Sequence, residues 1–238
     1  MAIKPITFSA PMVRALLAGT KTQTRRLVSK PEYYSCPTGD CPHEKQAECN
    51  AAMAALVGEI ARYQPGDRVY VREHWSSHAA FDGIAPRDLK RGSMIYTRAD
   101  GLWHNNGDAI SEPFGRHRQA MHMPRWASRM WLEVTEVRVQ RLQEIDEGDA
   151  LAEGIQYENV IVGVNCNGGV HHEETADRYF TLIEDIDVED GFECPIDAYA
   201  ALWDSLHTEP GTRWADNPWI VAYSFNVHRG NVDEVADV

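Results

Sequence analysis

The sequence predicts an α+β protein dominated by strands: a small β-barrel with helices on its rim. Strand-like runs of about five to ten residues recur along the chain, joined by loops and interrupted by short helices. These runs do not alternate with helices, which disfavours a parallel doubly wound sheet. With 43% of its 238 residues hydrophobic and 25% charged, the chain can bury one good core. The expected organisation is one domain over 1–229, with insertions at about 30–64 and 156–193 and a polar, disordered tail at 230–238.

Taken in order, "PITFSAPMVRALLAGTKTQTRRLV" gives a short strand near 6–8, then a helix carrying Met12, Val13, Leu16 and Leu17 on one face. Gly19 is placed to end that helix as a left-handed cap, and a strand follows over 22–28. The segment 29–64, with Pro31, three cysteines and an Ala-rich stretch over 50–62, reads as an insertion with a helical second half. "QPGDRVYVREHW" turns at Pro65 and Gly66 into a strand with Val69 and Val71 on one face and Tyr70, Arg72 and His74 on the other.

Residues 76–92 read as loop and "SMIYTRAD" as a strand. "MWLEVTEVRVQRL" is a long strand whose alternation slips near 135–137, as a β-bulge would cause. "DEGDALAEGI" is a short acidic helix closed by Gly154. The segment 156–193 is rich in Gly, Asn, Asp and Glu and reads as an exposed, mobile insertion. "PIDAYAALWDSL" is an amphipathic helix with Pro195 in its first turn, and "PWIVAYSFNV" a last buried strand.

The formal charge of −13 repels polyphosphate unless basic groups are gathered in one place. They are gathered. Segments 21–30 and 116–129 hold Lys21, Arg25, Arg26, Lys30, Arg116, Arg118, Arg125 and Arg129, and no Asp or Glu. No run of about 18 apolar residues and no secretory leader is read in the chain, so the expectation is a cytoplasmic protein without membrane passage. The five cysteines are then free thiols or metal ligands rather than bridges.

The order "GTKTQTRR", "PGDRVYVRE", "HMPRWASR", "DALAEGI", a Trp-bearing helix and a terminal strand resembles the ASCH family, whose fold is the PUA-like β-barrel. It is most similar to the ASCH proteins encoded in phages and prophages, for which the compartment would be the host cytoplasm. The resemblance runs over nearly the whole chain outside the two insertions, and the G-x-K-x-x-T signature with "HMPRWASR" carries it. It implies a nucleoside- or RNA-directed protein. Some small members are amidohydrolases acting on N4-acetylcytidine, and their catalytic Lys, Thr and Glu correspond to Lys21, Thr24 and Glu153.

In that reading, Lys21 activates the Thr24 hydroxyl. Its pKa must then fall well below the ordinary value, and burial beside Arg25 and Arg26 acts in that direction. Lys21 and Thr24 are three apart, so Lys21 must lie in an irregular turn after Gly19 rather than on the strand. Glu153 would orient Lys21 or protonate the leaving amine. The plain alternative is that Lys21 and the arginines form a solvated, charged strand start.

A second reading is non-catalytic RNA binding, with Arg125 and Arg129 joining the same donors in a cleft and Trp75, Tyr96 and Trp126 stacking on bases. Each of these aromatics is equally readable as core. A third is a metal-independent ribonuclease in which His122 and Lys21 share the proton transfers. Glu73, at the end of "VYVRE", is expected to hold Arg25 or Arg26 in place. Cys36, Cys41, His43 and Cys49 could bind a structural zinc, though C-x4-C-x-H-x5-C is not a standard knuckle. Cys166, His171 and His172 form a weaker second cluster.

Overall fold

The structure is a computed structural model describing residues 3–28, 61–104, 114–167, 170–183 and 191–234, with the backbone alone over 162–167 and 170–174. Among the described residues it is α+β and mainly β, with ten strands and three α-helices. No helix there is long and apolar enough to cross a membrane. The chain divides into two compact units: Met1–Gly19, Arg62–Val137 and Tyr223–Val238 form the first, and Thr20–Ala61 with Arg138–Ala222 the second.

The first unit contains β1 (Ile3–Thr7), α1 (Ala10–Ala18), β3 (Arg68–Arg72), β4 (Trp75–Ser77), β5 (Ile95–Thr97) and β6 (Leu102–His104). The second contains β2 (Gln23–Leu27), α2 (Glu147–Ala152), β8 (Gln156–Asn167), β9 (Val170–Phe180) and α3 (Pro195–Leu206). β7 (Met130–Arg141) and β10 (Trp219–Arg229) run from one unit into the other. The principal sheet has the order β1-β3-β7-β10-β2; among the described residues it is open, and no closed barrel is found.

In the first unit β1 pairs parallel with β3, and β3 antiparallel with β7 in the register Arg68↔Glu133, Val69↔Leu132, Tyr70↔Trp131. The expected alternation of β3 is only partly seen: Val69 and Val71 are buried, but Tyr70 is buried too, against Trp131 and Val232. Val232 lies in a 3-10 turn, Val232–Glu234, so a disordered tail from 230 is wrong for these residues. Burying Val232 and bonding Asn231 to the carbonyls of Arg125 and Ser128 offsets the entropy of ordering them. A second sheet, β4-β5-β6, has β5 within the expected strand "SMIYTRAD", while the segment expected as loop over 76–92 holds only the end of β4 and two short 3-10 turns, Ala79–Phe81 and Pro86–Asp88. It buries Trp75 and Ile95 with Leu89, Met123 and Ala127.

The second unit is organised by α3, whose buried Pro195, Ala198, Tyr199, Leu202 and Trp203 recur at helical spacing. Ala198, Tyr199, Leu202 and Trp203 pack with Leu142, Ile145, Ala150, Ile155, Ile220 and Ala222. Truncating a fully buried Leu in such a cluster costs about 2–5 kcal/mol. Within the insertion expected over 156–193, β8 and β9 form a two-stranded antiparallel hairpin with Tyr157 and Ile161 exposed. Its backbone groups are paired in a ladder, and that pairing outweighs a composition poor in large apolar residues.

Candidate functional site

Gly19 adopts φ 79°, and its N–H closes α1 onto the carbonyls of Ala15 and Leu16, a conformation glycine reaches without steric cost. The chain beyond it is irregular through Lys21 and Thr22, and β2 begins only at Gln23. Lys21 therefore escapes strand alternation, as the amidohydrolase reading requires.

In the second unit, α2 meets this turn. The side chain of Asp146 caps the helix by accepting from the Asp149 N–H at 2.7 Å, and Gly154, with φ 104°, lets the chain leave immediately after Glu153. The Thr22 N–H donates to the Ala152 carbonyl at 2.8 Å, fixing the turn to the end of the helix. Asp149 and Glu153 are four residues apart and so share one face. Both engage the donors of the turn.

Lys21 Nζ donates to Glu153 Oε2 at 2.6 Å and to the Glu153 carbonyl at 2.8 Å. Arg25 Nη1 reaches Glu153 Oε1 at 3.2 Å, while its Nη2 reaches Asp149 Oδ2 at 2.7 Å. Asp149 also accepts from Gln23 Nε2 at 2.9 Å and Arg138 Nη2 at 2.6 Å. Arg26 Nη1 donates to Thr24 Oγ1 at 2.8 Å. Tyr199 faces the cluster from α3, its ring centroid 5.7 Å from the Arg25 guanidinium carbon.

Lys21 and Thr24 are each 1% exposed and Glu153 4%. The solvated strand start is therefore excluded for Lys21: it is a buried ammonium. Burial drives its pKa below the ordinary value, Glu153 opposes that, and the Arg26 and Arg25 charges add to the lowering. Burial also holds the Tyr199 hydroxyl well above its usual value, with the Glu153 charge adding. For Asp149, burial raises the pKa, but hydrogen bonds from Arg138 and Gln23 and the charges of Arg25 and Arg138 outweigh it and lower the carboxyl. Arg25 Nε is buried and has no acceptor among the described residues.

Glu73 does not hold Arg25 or Arg26. It takes both oxygens to Arg129, from Nε at 2.7 Å and Nη2 at 3.0 Å. The β3-β7 register explains the choice: continued past Tyr70↔Trp131, it brings Glu73 beside Ser128 and Arg129. Arg129 Nη1 bonds Asp100 as well and lies 3.1 Å from His104 Nε2. Thr97 Oγ1 donates to Asp100 Oδ1 at 2.7 Å. Burial pushes the Glu73 carboxyl up against the pull of Arg129. At Asp100 burial again acts upward, but hydrogen bonds from Arg129 and Thr97 prevail and hold it low.

The remaining residues expected in a binding cleft separate. Arg125 pairs with Asp233, Nη2 to Oδ1 at 2.8 Å, so both it and Arg129 are committed to carboxylates of the first unit. Trp75 is fully buried and cannot stack on a base from solvent; Trp126 packs against the same core cluster. Tyr96 is half-buried and contacts Trp103 and Phe114. His122 is exposed at the end of a 3-10 turn. Sequence reasoning missed Asp149, Arg138 and Tyr199, although the spacing of Asp149 and Glu153 in "DALAE" was a usable signal. Asp100, His104 and Thr97 had none.

Among the described residues no group of three or more His, Cys, Asp and Glu stands together as a metal site. Cys36, Cys41, His43 and Cys49 lie outside those residues; the β8-β9 backbone pairs Cys166 with His171. The chain matches no protein-family model, no curated protein and no solved structure.

Proposed function

We propose that the chain is an amidohydrolase directed at an acylated nucleoside, with N4-acetylcytidine as substrate, on an ASCH-type, PUA-like fold. The observation that carries this reading is the buried Lys21–Glu153 pair at 2.6 Å, three residues from Thr24. Unprotonated Lys21 takes the Thr24 proton, and Thr24 Oγ adds to the acetyl carbonyl carbon. Charge on the carbonyl oxygen is offset by the neighbouring guanidiniums, where the unpartnered Arg25 Nε–H supplies a donor. Collapse breaks the C–N bond, with the Lys21 proton passing to the leaving N4. Water then gives a proton to Lys21 and adds its hydroxyl to the Thr24 acetyl ester; the Thr24 Oγ–C bond breaks, Lys21 returns its proton to Thr24 Oγ, and the acetic acid released loses its proton to solvent as acetate.

Because Lys21 and Thr24 are each 1% exposed, substrate entry requires this turn to open. The test is incubation with N4-acetylcytidine and chromatography for cytidine. Wild type should release it, and Lys21→Met and Thr24→Val should each lower the rate by about 10²-fold or more. No cytidine from wild type, or full activity in Thr24→Val, ends the reading.

The gathering of Lys21, Arg25 and Arg138 around Glu153 and Asp149 supports a second reading, non-catalytic RNA binding, in which these cations receive a phosphate. It predicts no product, together with RNA binding that Lys21→Met weakens.

A further inference from the structure

The β8-β9 ribbon has two long edges, and they differ. On the β9 side, the Tyr179 N–H donates to the Phe192 carbonyl and the Phe192 N–H to the Tyr179 carbonyl, each at 2.8 Å. Tyr179 and Phe192 also pack against the core cluster of α3, so that edge is covered at its base. On the β8 side, no strand among the described residues pairs with the ribbon.

The two bonds to Phe192 fix which backbone groups of β8 the ribbon does not use. Because both polar groups of Tyr179 point to Phe192, the pair Tyr157↔Tyr179 exchanges no hydrogen bonds, and the Tyr157 N–H and C=O point away from β9. The register is regular from Gln156↔Phe180 to Ile161↔Thr175, so Asn159 and Ile161 turn their N–H and C=O outward in the same way. Tyr157 is 63% and Ile161 56% exposed, and Asn159 between them is exposed. An edge that combines apolar side chains with outward donors and acceptors is a template for a further strand. Without one, a two-stranded ribbon is only marginally stable in water.

That edge is complementary to itself. Antiparallel pairing of two β8 strands about a two-fold axis at Asn159 puts Tyr157 opposite the partner's Ile161, an aromatic against a β-branched side chain, and Glu158 opposite the partner's Val160. No like charges meet across it. Outward groups face outward groups, which gives about six inter-strand hydrogen bonds. The same operation on β9 about Asp177 would set two carboxylates against each other.

We propose that the protein forms a two-fold symmetric dimer in which β8 pairs antiparallel with the β8 of a second copy, centred on Asn159, to make a four-stranded sheet. The association closes at two copies, because the outer edges of that sheet are the β9 strands held at Phe192. It uses no residue of the Lys21 site and does not rest on the hydrolase reading.

The test is sedimentation equilibrium of the full chain between about 1 and about 100 μM. Wild type should pass from monomer to dimer mass and no further. Asn159→Pro removes an outward N–H that the β8-β9 ladder does not use, and Val160→Glu sets a carboxylate opposite the partner's Glu158; each should weaken association by about tenfold or more. Asn159→Cys should yield, on mild oxidation, a dimer that peptide mapping shows to be joined at position 159, since facing residues of a hydrogen-bonded pair stand about 5.5 Å apart. This variant keeps the test open if Asn159→Pro fails to fold. A wild type that stays monomeric throughout, which would leave the edge to a different protein, overturns the proposal. So does a dimer that survives both Asn159→Pro and Val160→Glu, growth beyond two copies, or cross-linking of Asn159→Cys that maps only to other cysteines.

Discussion

Each unit holds a glutamate clamped by arginine, but the two clamps are built differently. Glu153 divides its oxygens between two cations, Lys21 of the turn and Arg25 of β2, and the group is closed off: Lys21, Arg25 and Glu153 have side chains no more than 5% exposed. Glu73 gives both oxygens to one fork, Arg129, whose own side chain is 14% exposed and whose further partners, Asp100 and His104, are 21% and 27% exposed. Only one of these designs suits a reacting group. A bidentate fork with water at its rim is a stable strut. Burial of the Lys21 ammonium, with the Arg26 and Arg25 charges adding and Glu153 opposing, lowers its pKa, which is the direction a general base needs.

The largest effect should come from removing the shared carboxylate. Glu153→Ala leaves Lys21 and Arg25 buried with one partner fewer, at a cost of about 3–5 kcal/mol in denaturant unfolding. Lys21→Met should cost distinctly less, because Arg25 still satisfies Glu153. Equal costs for the two would show that Lys21 and not the carboxylate organises the group.

Arg129→Ala should follow, at about 3 kcal/mol, since it strands Glu73 at 2% exposure. Arg129→Lys should recover little, because an ammonium cannot reproduce two parallel N–H donors. Hydrogen exchange resolved by segment would show whether 20–28 and 147–155 respond to the first substitution and 68–104 to the second. A uniform response would dissolve the distinction between the clamps.

Asp149→Asn comes next, at about 1–2 kcal/mol near neutral pH, through weakened charge-assisted bonds from Arg25 and Arg138. The smallest effect is a pH dependence of opposite sign in the two carboxylate types. Asp149 and Asp100 titrate lower when folded, so the stability they contribute is present above the unfolded value of about 3.9 and is lost as pH falls through the folded one. Glu73 titrates higher when folded, so its contribution is complete below about 4.3 and declines as pH rises through the folded value. Thermal melting between neutral pH and acid should therefore be flatter for Asp149→Asn than for wild type. For Glu73→Gln the loss on acidification should be steeper.

The contrast also separates what could be read from residues alone. The glycine cap before Lys21 was legible because a helix-ending glycine is a local pattern, fixed within a few residues, whereas the roles expected of Lys21 and Thr24 came from the family resemblance alone. The α3 face was legible for the same reason: period 3.6 survives without knowledge of the fold. Glu73 was assigned the wrong partner because an inward carboxylate at a strand end announces that it needs a cation without naming which one.

Residue order was enough to set the first helix with its glycine cap, the apolar face of α3 and two basic segments in an acidic chain, all of which depend on neighbours a few residues apart. The folded chain was needed to settle that Glu153 is shared and Glu73 is not, that Trp75 is core while Phe114 faces solvent, and that 156–180 pairs with itself as a hairpin. Those outcomes depend on strand register and on which groups water can still reach, and both are properties of contacts between segments remote in sequence.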